Sequence, residues 1–310
     1  MSIAFVFPGQ GAQTIGMGRA LAEAYPAAKA VFDEIDDALG EKLSDLIWSG
    51  DIETLTLTEN AQPALMATSL AAIRALEAEG LGLDNASFVA GHSLGEYSAL
   101  AAAGAFTIAD TARLLRIRGQ AMQAAVPVGQ GAMAAVLGLG FDAVTEVAAK
   151  AAQGQVCQVA NANDPAQNVV SGDKDAVERA TVLAKEAGAK RALLLPVSAP
   201  FHCALMAPAA DKMAEALESV AMQVPKVPVV ANVVAEAVSD PAQIKALLIR
   251  QVTGQVRWSA SVEWMAANGV TAFWEIGAGK ALSGMIRRIA KDATTRNIGA
   301  PEDIKAALDA

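Results

Sequence analysis

The sequence predicts an α/β protein in which a parallel sheet carries a smaller inserted unit. Three observations support this fold class. Short apolar runs alternate with helical patterns over the first 127 residues, a different order of elements follows over residues 128–196, and the alternation then returns. Strands that alternate with helices favour a parallel sheet covered by helices on both faces.

The first part of the chain supplies strands and helices in turn. Its predicted elements are a strand from Ile3 to Phe7, helical patterns over Arg19 to Leu39 and Asn60 to Glu79, a strand around Phe88, and helices over Glu96 to Ala103 and Ile108 to Ala125. Pro8 and the glycines after it end the first strand, because they favour turns over a continued sheet ladder.

The middle of the chain has the order strand, helix, strand, strand, helix, strand. These elements are predicted over Ala132 to Leu137, Asp142 to Ala152, Val156 to Asn161, Asn168 to Ser171, Lys174 to Ala187 and Arg191 to Leu195. This order, complete within about 65 residues, is that of a ferredoxin-like unit. We therefore predict a discontinuous large domain of residues 1–127 and 197–310 and an inserted subdomain of residues 128–196.

Alternation returns in the last third of the chain. It predicts strands over Val229 to Val233 and Ala272 to Ile276, then a helix over Ala281 to Ala290.

Composition narrows the class of protein. The chain has 310 residues, of which 53% are hydrophobic and 18% charged, as in an ordered globule. Its net charge of −9 argues against a nucleic-acid partner, which requires a basic surface. No uncharged apolar stretch approaches the ~20 residues that span a bilayer, so we expect no membrane partner. The start of the chain lacks a secretory signal pattern, and two cysteines fit free thiols, so we expect a cytoplasmic location. We also expect a monomer.

The stretch from Gly91 to Gly95 reads Gly-His-Ser-Leu-Gly and lies between a predicted strand and a predicted helix. In that context the motif is a nucleophile elbow, in which a sharp turn between glycines exposes the serine hydroxyl. The alternative is a chance Gly-Ser-Gly turn. Because the strand and helix signals fall where the elbow requires them, we predict Ser93 as a nucleophile.

A serine nucleophile usually needs a neighbouring base, and the chain has only two histidines. His92 directly precedes Ser93 on the turn and cannot reach its hydroxyl. His202 follows a proline-bracketed loop after a predicted strand, a place where functional side chains are common. A purely structural histidine is the alternative, and we predict His202 as the base.

Other motifs are rejected. The loop from Gly9 to Thr14 resembles a dinucleotide fingerprint but has Thr14 in place of its third glycine. Its backbone N–H groups could instead face a developing negative charge. The stretch from Gly277 to Lys280 lacks the first glycine and the hydroxyl of a phosphate loop. No Cys/His spacing or acidic cluster suits a metal, so we expect neither metal nor cofactor.

Five motifs, taken together and in order, carry a resemblance that spans nearly the whole chain. They are Phe7 to Gly11, Gly91 to Glu96, Arg118 with Gly119, Asn161 to Asn163, and Val197 to His202. In this combination the chain resembles the malonyl-CoA:acyl carrier protein transacylases of bacterial type II fatty acid synthesis. The resemblance implies an α/β-hydrolase-like large domain with a ferredoxin-like insert, which agrees with the pattern above.

The resemblance also implies roles for individual residues. Ser93 would be the nucleophile, His202 its base and the Gln251 main-chain carbonyl the group that orients this base. The family's other positions correspond to Gln10 and Leu94 for the oxyanion hole, Arg118, Asn163, Gln62, Met133 and Phe201 for substrate binding, and Lys190 and Arg191 for carrier-protein docking. The implied partners are malonyl-CoA and acyl carrier protein. A carbonyl acceptor would also explain why no Asp or Glu could be nominated as a triad acid.

Arg118 has a physical rationale of its own. A malonyl group ends in a carboxylate that must leave water, and a guanidinium can bind it with two charge-assisted hydrogen bonds. The alternative is a solvated helix arginine, which we predict for Arg113 and Arg116.

Three other functions remain open at this stage. The elbow also suits a serine esterase or thioesterase acting on acyl thioesters, the transferase could serve polyketide synthesis, and a silent carrier-binding scaffold is a third possibility. The missing acid and the predicted role of Arg118 favour transfer.

Overall fold

The computed structural model describes residues 2–197 and 199–309. Ser198, within the last of the five motifs, lies outside the described residues. The strands are β1 Ile3–Phe7, β2 Ala86–Gly91, β3 Gly131–Leu137, β4 Cys157–Asp164, β5 Gln167–Asp173, β6 Arg191–Leu194, β7 Val229–Ala231, β8 Glu236–Val238, β9 Ala272–Ile276 and β10 Thr294–Ile298.

Helices flank these strands along the whole chain. They are α1 Arg19–Ala24, α2 Pro26–Leu39, α3 Leu43–Ser49, α4 Ile52–Thr56, α5 Thr58–Ala78, α6 Gly95–Ala102, α7 Ile108–Ala124, α8 Phe141–Ala152, α9 Lys174–Glu186, α10 Ala207–Glu218, α11 Pro241–Thr253, α12 Trp258–Ala267, α13 Ala281–Ile289 and α14 Pro301–Leu308. Short 3₁₀ turns occupy Leu83–Asn85 and Ala204–Met206. None of the described helices is long and apolar enough to cross a membrane.

The larger sheet has six strands in the order β10-β9-β1-β2-β7-β8. All neighbours are parallel except β7 and β8, which form an antiparallel pair at one edge. Strands β1 and β2 lie at its centre and end together, with Phe7 paired to Gly91. The loops that follow parallel strands meet at one edge of a sheet, which is where ligands usually bind in such folds. This arrangement confirms the predicted α/β class.

The smaller sheet is antiparallel, with the order β4-β5-β3-β6. Helices α8 and α9 cover one face and bury a separate apolar core that includes Val136, Val144, Val170 and Val177. Numbered within the unit, the strand order is 2-3-1-4, which is the predicted ferredoxin-like arrangement. All four strands lie within residues 131–194. The subdomain boundaries at 128 and 196 remain a prediction.

The two sheets are joined by local contacts beside the loop that follows α11. The Val256 N–H donates to the Ala160 carbonyl and the Ala162 N–H donates to the Val256 carbonyl, at 2.8 and 3.0 Å. Arg288 of α13 also forms an ion pair with the buried carboxylate of Asp164 at 2.7 Å. These contacts hold β4 of the small sheet against the loop after α11 and against α13 of the large domain.

Most predicted elements are present, with small shifts at their ends. The bounds of β1 and β9 agree with the prediction. The helical pattern over residues 19–39 forms two helices, because the chain turns at Tyr25 and restarts with Pro26 in the first helical turn. The sequence patterns did not predict α3, α4, α10, α11, α12, α14, β8 and β10.

Candidate active site

The nucleophile elbow joins the end of β2 to the start of α6. Ser93 itself takes the strained left-handed backbone conformation, with φ of 54°. The flanking glycines allow neighbouring backbone segments to pack closely against the turn. A Cβ on Gly91 would lie 1.9 Å from the Gly95 carbonyl oxygen, and one on Gly95 would lie 2.3 Å from the Phe7 carbonyl oxygen. The turn therefore holds the Ser93 side chain at the sheet edge where β1 and β2 end.

His202 lies beside this serine, although 109 residues separate them. The distance from Ser93 Oγ to His202 Nε2 is 2.7 Å, and the distance from His202 Nδ1 to the Gln251 carbonyl oxygen is 2.9 Å. A carbonyl can only accept, so Nδ1 carries the proton and Nε2 is left as the acceptor for the serine hydroxyl. Burial, followed by the positive charge of Arg118, lowers the pKa of His202 to about 3. The imidazole is therefore neutral at physiological pH, as a base requires.

The other histidine points elsewhere, as expected from its place on the turn. His92 Nε2 lies 2.8 Å from Asn163 Oδ1, and its ring faces that of Trp258 at 5.8 Å. Burial lowers the pKa of His92 below its usual value. Asn163, which the resemblance assigned to substrate binding, thus holds His92, and the residue that lines the cavity from this motif is Asn161.

Arg118 of α7 lies directly against the nucleophile. Its side chain is only 1% exposed, and its Nη2 donates to Ser93 Oγ at 3.1 Å and to Gln251 Oε1 at 2.9 Å. Its Nη1 donates to Gln62 Oε1 at 2.8 Å, and the guanidinium lies 5.6 Å from the centre of the Tyr97 ring. A buried cation with neutral hydrogen-bond partners is well suited to receive an anionic group.

The two neighbouring arginines differ from Arg118. Arg113 is half exposed and pairs with Asp110 at 3.1 Å, as expected for a surface residue. Arg116 was expected to be solvated as well, and this is wrong. Its side chain is 15% exposed because it bonds to both Glu41 and Asn60 between helices.

A polar network that sequence reasoning missed lies beneath the elbow. The Ser93 N–H donates to Asn232 Oδ1 at 2.8 Å, and the Gln251 side chain donates to the Ser93 carbonyl at 3.1 Å. Glu96 accepts from both the Asn232 N–H and the Gln251 side chain, each at 2.9 Å. Burial raises the pKa of Glu96 to about 7, against the opposing effect of these hydrogen bonds and of Arg118. The available signal for Asn232 was a polar residue directly after the apolar run of β7.

These groups border a cavity of about 330 Å³. Among its lining residues are Gln10, Gln62, Ser93, Leu94, Arg118, Met133, Phe201 and His202, all assigned from the sequence. The main-chain N–H groups of Gln10 and Leu94 donate to no other described residue, so both remain able to bind an oxyanion. Lys190 and Arg191 do not border the cavity. They are exposed at the start of β6, the edge strand that leads into the lining segment Leu195 to Val197.

Over the described ranges 2–197 and 199–309, no group of three or more His, Cys, Asp or Glu side chains is placed to hold a metal ion. The cysteines, Cys157 and Cys203, are both free and buried. Burial raises the pKa of each thiol, which opposes thiolate formation. The reactive groups at this edge are therefore the serine and histidine pair.

Comparison with known proteins agrees with this geometry. A family model described as the acyl transferase domain matches residues 4–300. The malonyl CoA-acyl carrier protein transacylase of Bacillus subtilis is 49% identical over 307 residues, covering 99% of this chain and 96% of that protein.

Solved structures show the same likeness. An acyl-carrier-protein-S-malonyltransferase from Bartonella henselae superimposes with a TM-score of 0.98 at 56% identity, covering 100% of this chain and 99% of that one. A type II PKS acyl-carrier protein in complex with its malonyl-transacylase gives a TM-score of 0.97 at 42% identity, covering 100% and 99% of the two chains. With its fold, its elbow and a match that spans nearly its full length, this chain belongs to the acyl transferase domain family, as its motifs predicted.

Proposed function

We propose that this chain transfers the malonyl group of malonyl-CoA to the phosphopantetheine thiol of acyl carrier protein, through a malonyl-serine intermediate, and so supplies malonyl carrier protein for fatty acid synthesis. One observation carries the proposal. The buried guanidinium of Arg118 lies 3.1 Å from the oxygen that would carry the acyl group. A malonyl ester on Ser93 would bring its free carboxylate to this cation.

The first half-reaction follows from the hydrogen bonds at Ser93. His202 Nε2 removes the hydroxyl proton while Ser93 Oγ forms a bond to the thioester carbonyl carbon. The N–H groups of Gln10 and Leu94 stabilise the negative carbonyl oxygen of the tetrahedral intermediate. When this intermediate collapses, the carbon–sulfur bond breaks and the imidazolium returns the proton to the departing CoA sulfur.

The second half-reaction reverses these roles. His202 removes the proton of the phosphopantetheine thiol, the sulfur attacks the malonyl ester, and the proton returns to Ser93 Oγ as the ester bond breaks. The main-chain carbonyl of Gln251 supports the imidazolium in both halves, since it accepts the Nδ1 hydrogen bond at 2.9 Å. No external acid, base or redox partner is needed for this exchange, which is consistent with a reaction that uses no cofactor.

Selection of the malonyl group depends on desolvation. Arg118 is 1% exposed, so water cannot compensate its charge or that of an entering carboxylate. Gln62 and Gln251 accept two of its hydrogen bonds but are neutral. An acyl group with a free carboxylate therefore gains an ion pair that an acetyl group cannot form.

The carrier protein would approach over β6. Its outer surface presents the exposed residues Lys190, Arg191, Leu193 and Leu194. The chain as a whole carries a net charge of −9, so a local cationic surface is what an acidic carrier needs in order to dock. A cytoplasmic location agrees with two buried free thiols. The expected monomeric state stays a prediction.

Intact-mass spectrometry tests the proposal against a serine hydrolase with the same elbow. The enzyme is mixed with malonyl-CoA, freed of excess substrate and left in buffer, and holo acyl carrier protein is added to one half. Transfer predicts a malonyl adduct on the Ser93 peptide that persists in buffer and moves to the carrier. Rapid loss to free malonate without the carrier would indicate an esterase or thioesterase instead.

A further inference from the structure

Glu96 is a fully buried carboxylate at the start of α6, three residues after the nucleophile. Nothing in the reaction above uses it. One of its oxygens, Oε2, accepts hydrogen bonds from the Asn232 N–H and from Gln251 Nε2, each at 2.9 Å. The other, Oε1, has no hydrogen-bond partner within the described residues. Removing a carboxylate from water costs free energy, which indicates that Glu96 has a role beyond packing.

We propose that Glu96 is a positioning residue that sets malonyl selectivity, by fixing the orientation of the Gln251 amide that holds Arg118. This inference rests on the proposed function. It deepens that function by naming the group that keeps the carboxylate-binding cation in place.

The Gln251 amide has an acceptor end and a donor end. Oε1 accepts from Arg118 Nη2 at 2.9 Å, and Nε2 donates toward Glu96 at 2.9 Å. If the amide turned over, its NH₂ group would face the guanidinium, which can only donate. The amide oxygen would then face Glu96 Oε2, which accepts. The same nitrogen also donates to the Ser93 carbonyl at 3.1 Å and to Asn232 Oδ1 at 3.3 Å. Glu96 Oε2 is the nearest of these three acceptors, and it favours the one orientation in which Gln251 can hold Arg118.

The same carboxylate oxygen supports the nucleophile by a second route. It holds the main chain at Asn232, whose side-chain Oδ1 accepts the Ser93 N–H at 2.8 Å and whose Nδ2 donates to the Gly91 carbonyl at 2.7 Å. Glu96 thus joins three segments that are distant in sequence: the elbow, the end of β7 and the last turn of α11. Every hydrogen bond that it accepts leads to a residue in contact with Ser93 or Arg118.

The two routes differ in what they predict for substrate choice. Loss of the support to Ser93 slows transfer of any acyl group. Loss of the Gln251 orientation also removes a hydrogen bond to the Ser93 carbonyl, but in addition it releases Arg118, and this second loss is felt only by an acyl group with a carboxylate. The diagnostic quantity is therefore the ratio of kcat/KM for malonyl-CoA to that for acetyl-CoA, measured in acyl-enzyme formation. A residue that merely stabilised the fold would lower both values and leave this ratio unchanged.

Four variants test the proposal. Glu96→Met and Gln251→Met keep side-chain length but remove the hydrogen bonds, and each should lower the ratio about tenfold, the effect of one hydrogen bond to a charged group. The double variant should lower it no further than Gln251→Met alone, because Glu96 acts through that amide. Glu96→Gln should keep the ratio within about threefold of wild type, since an amide oxygen at the Oε2 position accepts the same bonds.

Glu275 provides the matched control. It is also fully buried, and it accepts from the N–H groups of Leu282 and Ser283 and from the side chain of Asn297, away from the active-site cavity. Glu275→Met should reduce thermal stability while leaving the ratio at its wild-type value. A comparable fall in the ratio of this control would overturn the proposal, because general destabilisation would then explain the result.

The remaining outcomes separate the inference from the function on which it rests. A wild-type enzyme without preference for malonyl-CoA would overturn both. A wild-type preference that persists in folded Glu96→Met, or in Gln251→Met, would overturn the inference alone. If Glu96→Met does not fold, Glu96→Ala, which removes the same acceptor without adding an apolar chain, carries the test. A lowered ratio in that variant supports the proposal, and a wild-type ratio contradicts it.

Discussion

Replacing Arg118 by alanine removes the cation that lies against the nucleophile. In the wild type, the guanidinium is 1% exposed and donates to Ser93 Oγ, Gln62 and Gln251. In Arg118→Ala, the carboxylate of a malonyl group would enter the same desolvated site without a counter-charge. An acetyl group brings no carboxylate, so it loses no ion pair.

The magnitude follows from burial. Removing one partner of a buried, hydrogen-bonded charge pair costs about 2–5 kcal/mol. Because each ~1.4 kcal/mol is a factor of ten, kcat/KM for malonyl-CoA should fall by roughly 30-fold or more. The substitution also leaves the amide oxygens of Gln62 and Gln251 without their donor, but this loss is common to both acyl groups. Acetyl transfer should therefore fall much less than malonyl transfer, or rise as the carboxylate-binding site is removed.

The assay measures acyl-enzyme formation with malonyl-CoA and acetyl-CoA side by side. Arg113→Ala is the matched control, since Arg113 lies on the same helix with a side chain that is 53% exposed and donates to Asp110 and to the Ala38 carbonyl, away from Ser93. It should leave both rates and their ratio unchanged. If folded Arg118→Ala keeps the wild-type preference for malonyl-CoA, the reasoning is refuted, and another group must bind the carboxylate.

Three further predictions follow from the same site. Ser93→Ala should abolish acyl-enzyme formation and His202→Ala should slow it by several orders of magnitude, because the two groups act as one unit; turnover near wild type in Ser93→Ala would contradict the mechanism. Reversing the charges of Lys190 and Arg191 should raise KM for acyl carrier protein while leaving acylation by malonyl-CoA nearly intact, and equal loss in both half-reactions would argue against a docking role. Burial and the charge of Arg118 lower the pKa of His202 to about 3. Single-turnover acylation should therefore persist as the pH falls below 6.5, the usual histidine value, and decline only toward pH 3 as the base is protonated. A decline centred near 6.5 would show that the base is not desolvated.

Controls for the last two predictions come from the chain itself. Lys150→Glu combined with Lys291→Glu changes the same amount of charge at exposed positions away from β6 and should not alter KM for the carrier. In Arg118→Ala, the loss of the nearby positive charge should raise the pKa of His202 and move the acidic decline to higher pH.

Local sequence patterns were sufficient to predict those elements that depend only on the residues within them. The bounds of β1 and β9 were predicted to the residue, because strands inside a parallel sheet are buried on both faces and form largely apolar runs. The elbow was predicted for a similar reason. Gly91 and Gly95 approach backbone atoms too closely for any Cβ, a requirement that only glycine meets. The ferredoxin-like insert was predicted because its element order is complete within one continuous segment.

Function depended on side chains whose roles no local pattern reveals. Asn232 bonds to Ser93 across 139 residues, and the Gln251 side chain bonds to the Ser93 carbonyl across 158. Gln251 lies on α11, a helix that the sequence patterns did not predict. The resemblance assigned only its main-chain carbonyl, while its side chain was found to connect Arg118 to Glu96.

The physical reason is that periodicity and turn residues report how a segment is buried, whereas contacts between segments depend on the order of strands in the sheet. Placing β7 beside β2 brings Asn232 to the elbow, and many strand orders would bury the same apolar runs equally well. By itself, the sequence determined the α/β class, the elbow serine and its histidine base. Only the tertiary structure decided that a buried network of Glu96, Asn232 and Gln251 connects Ser93 with Arg118.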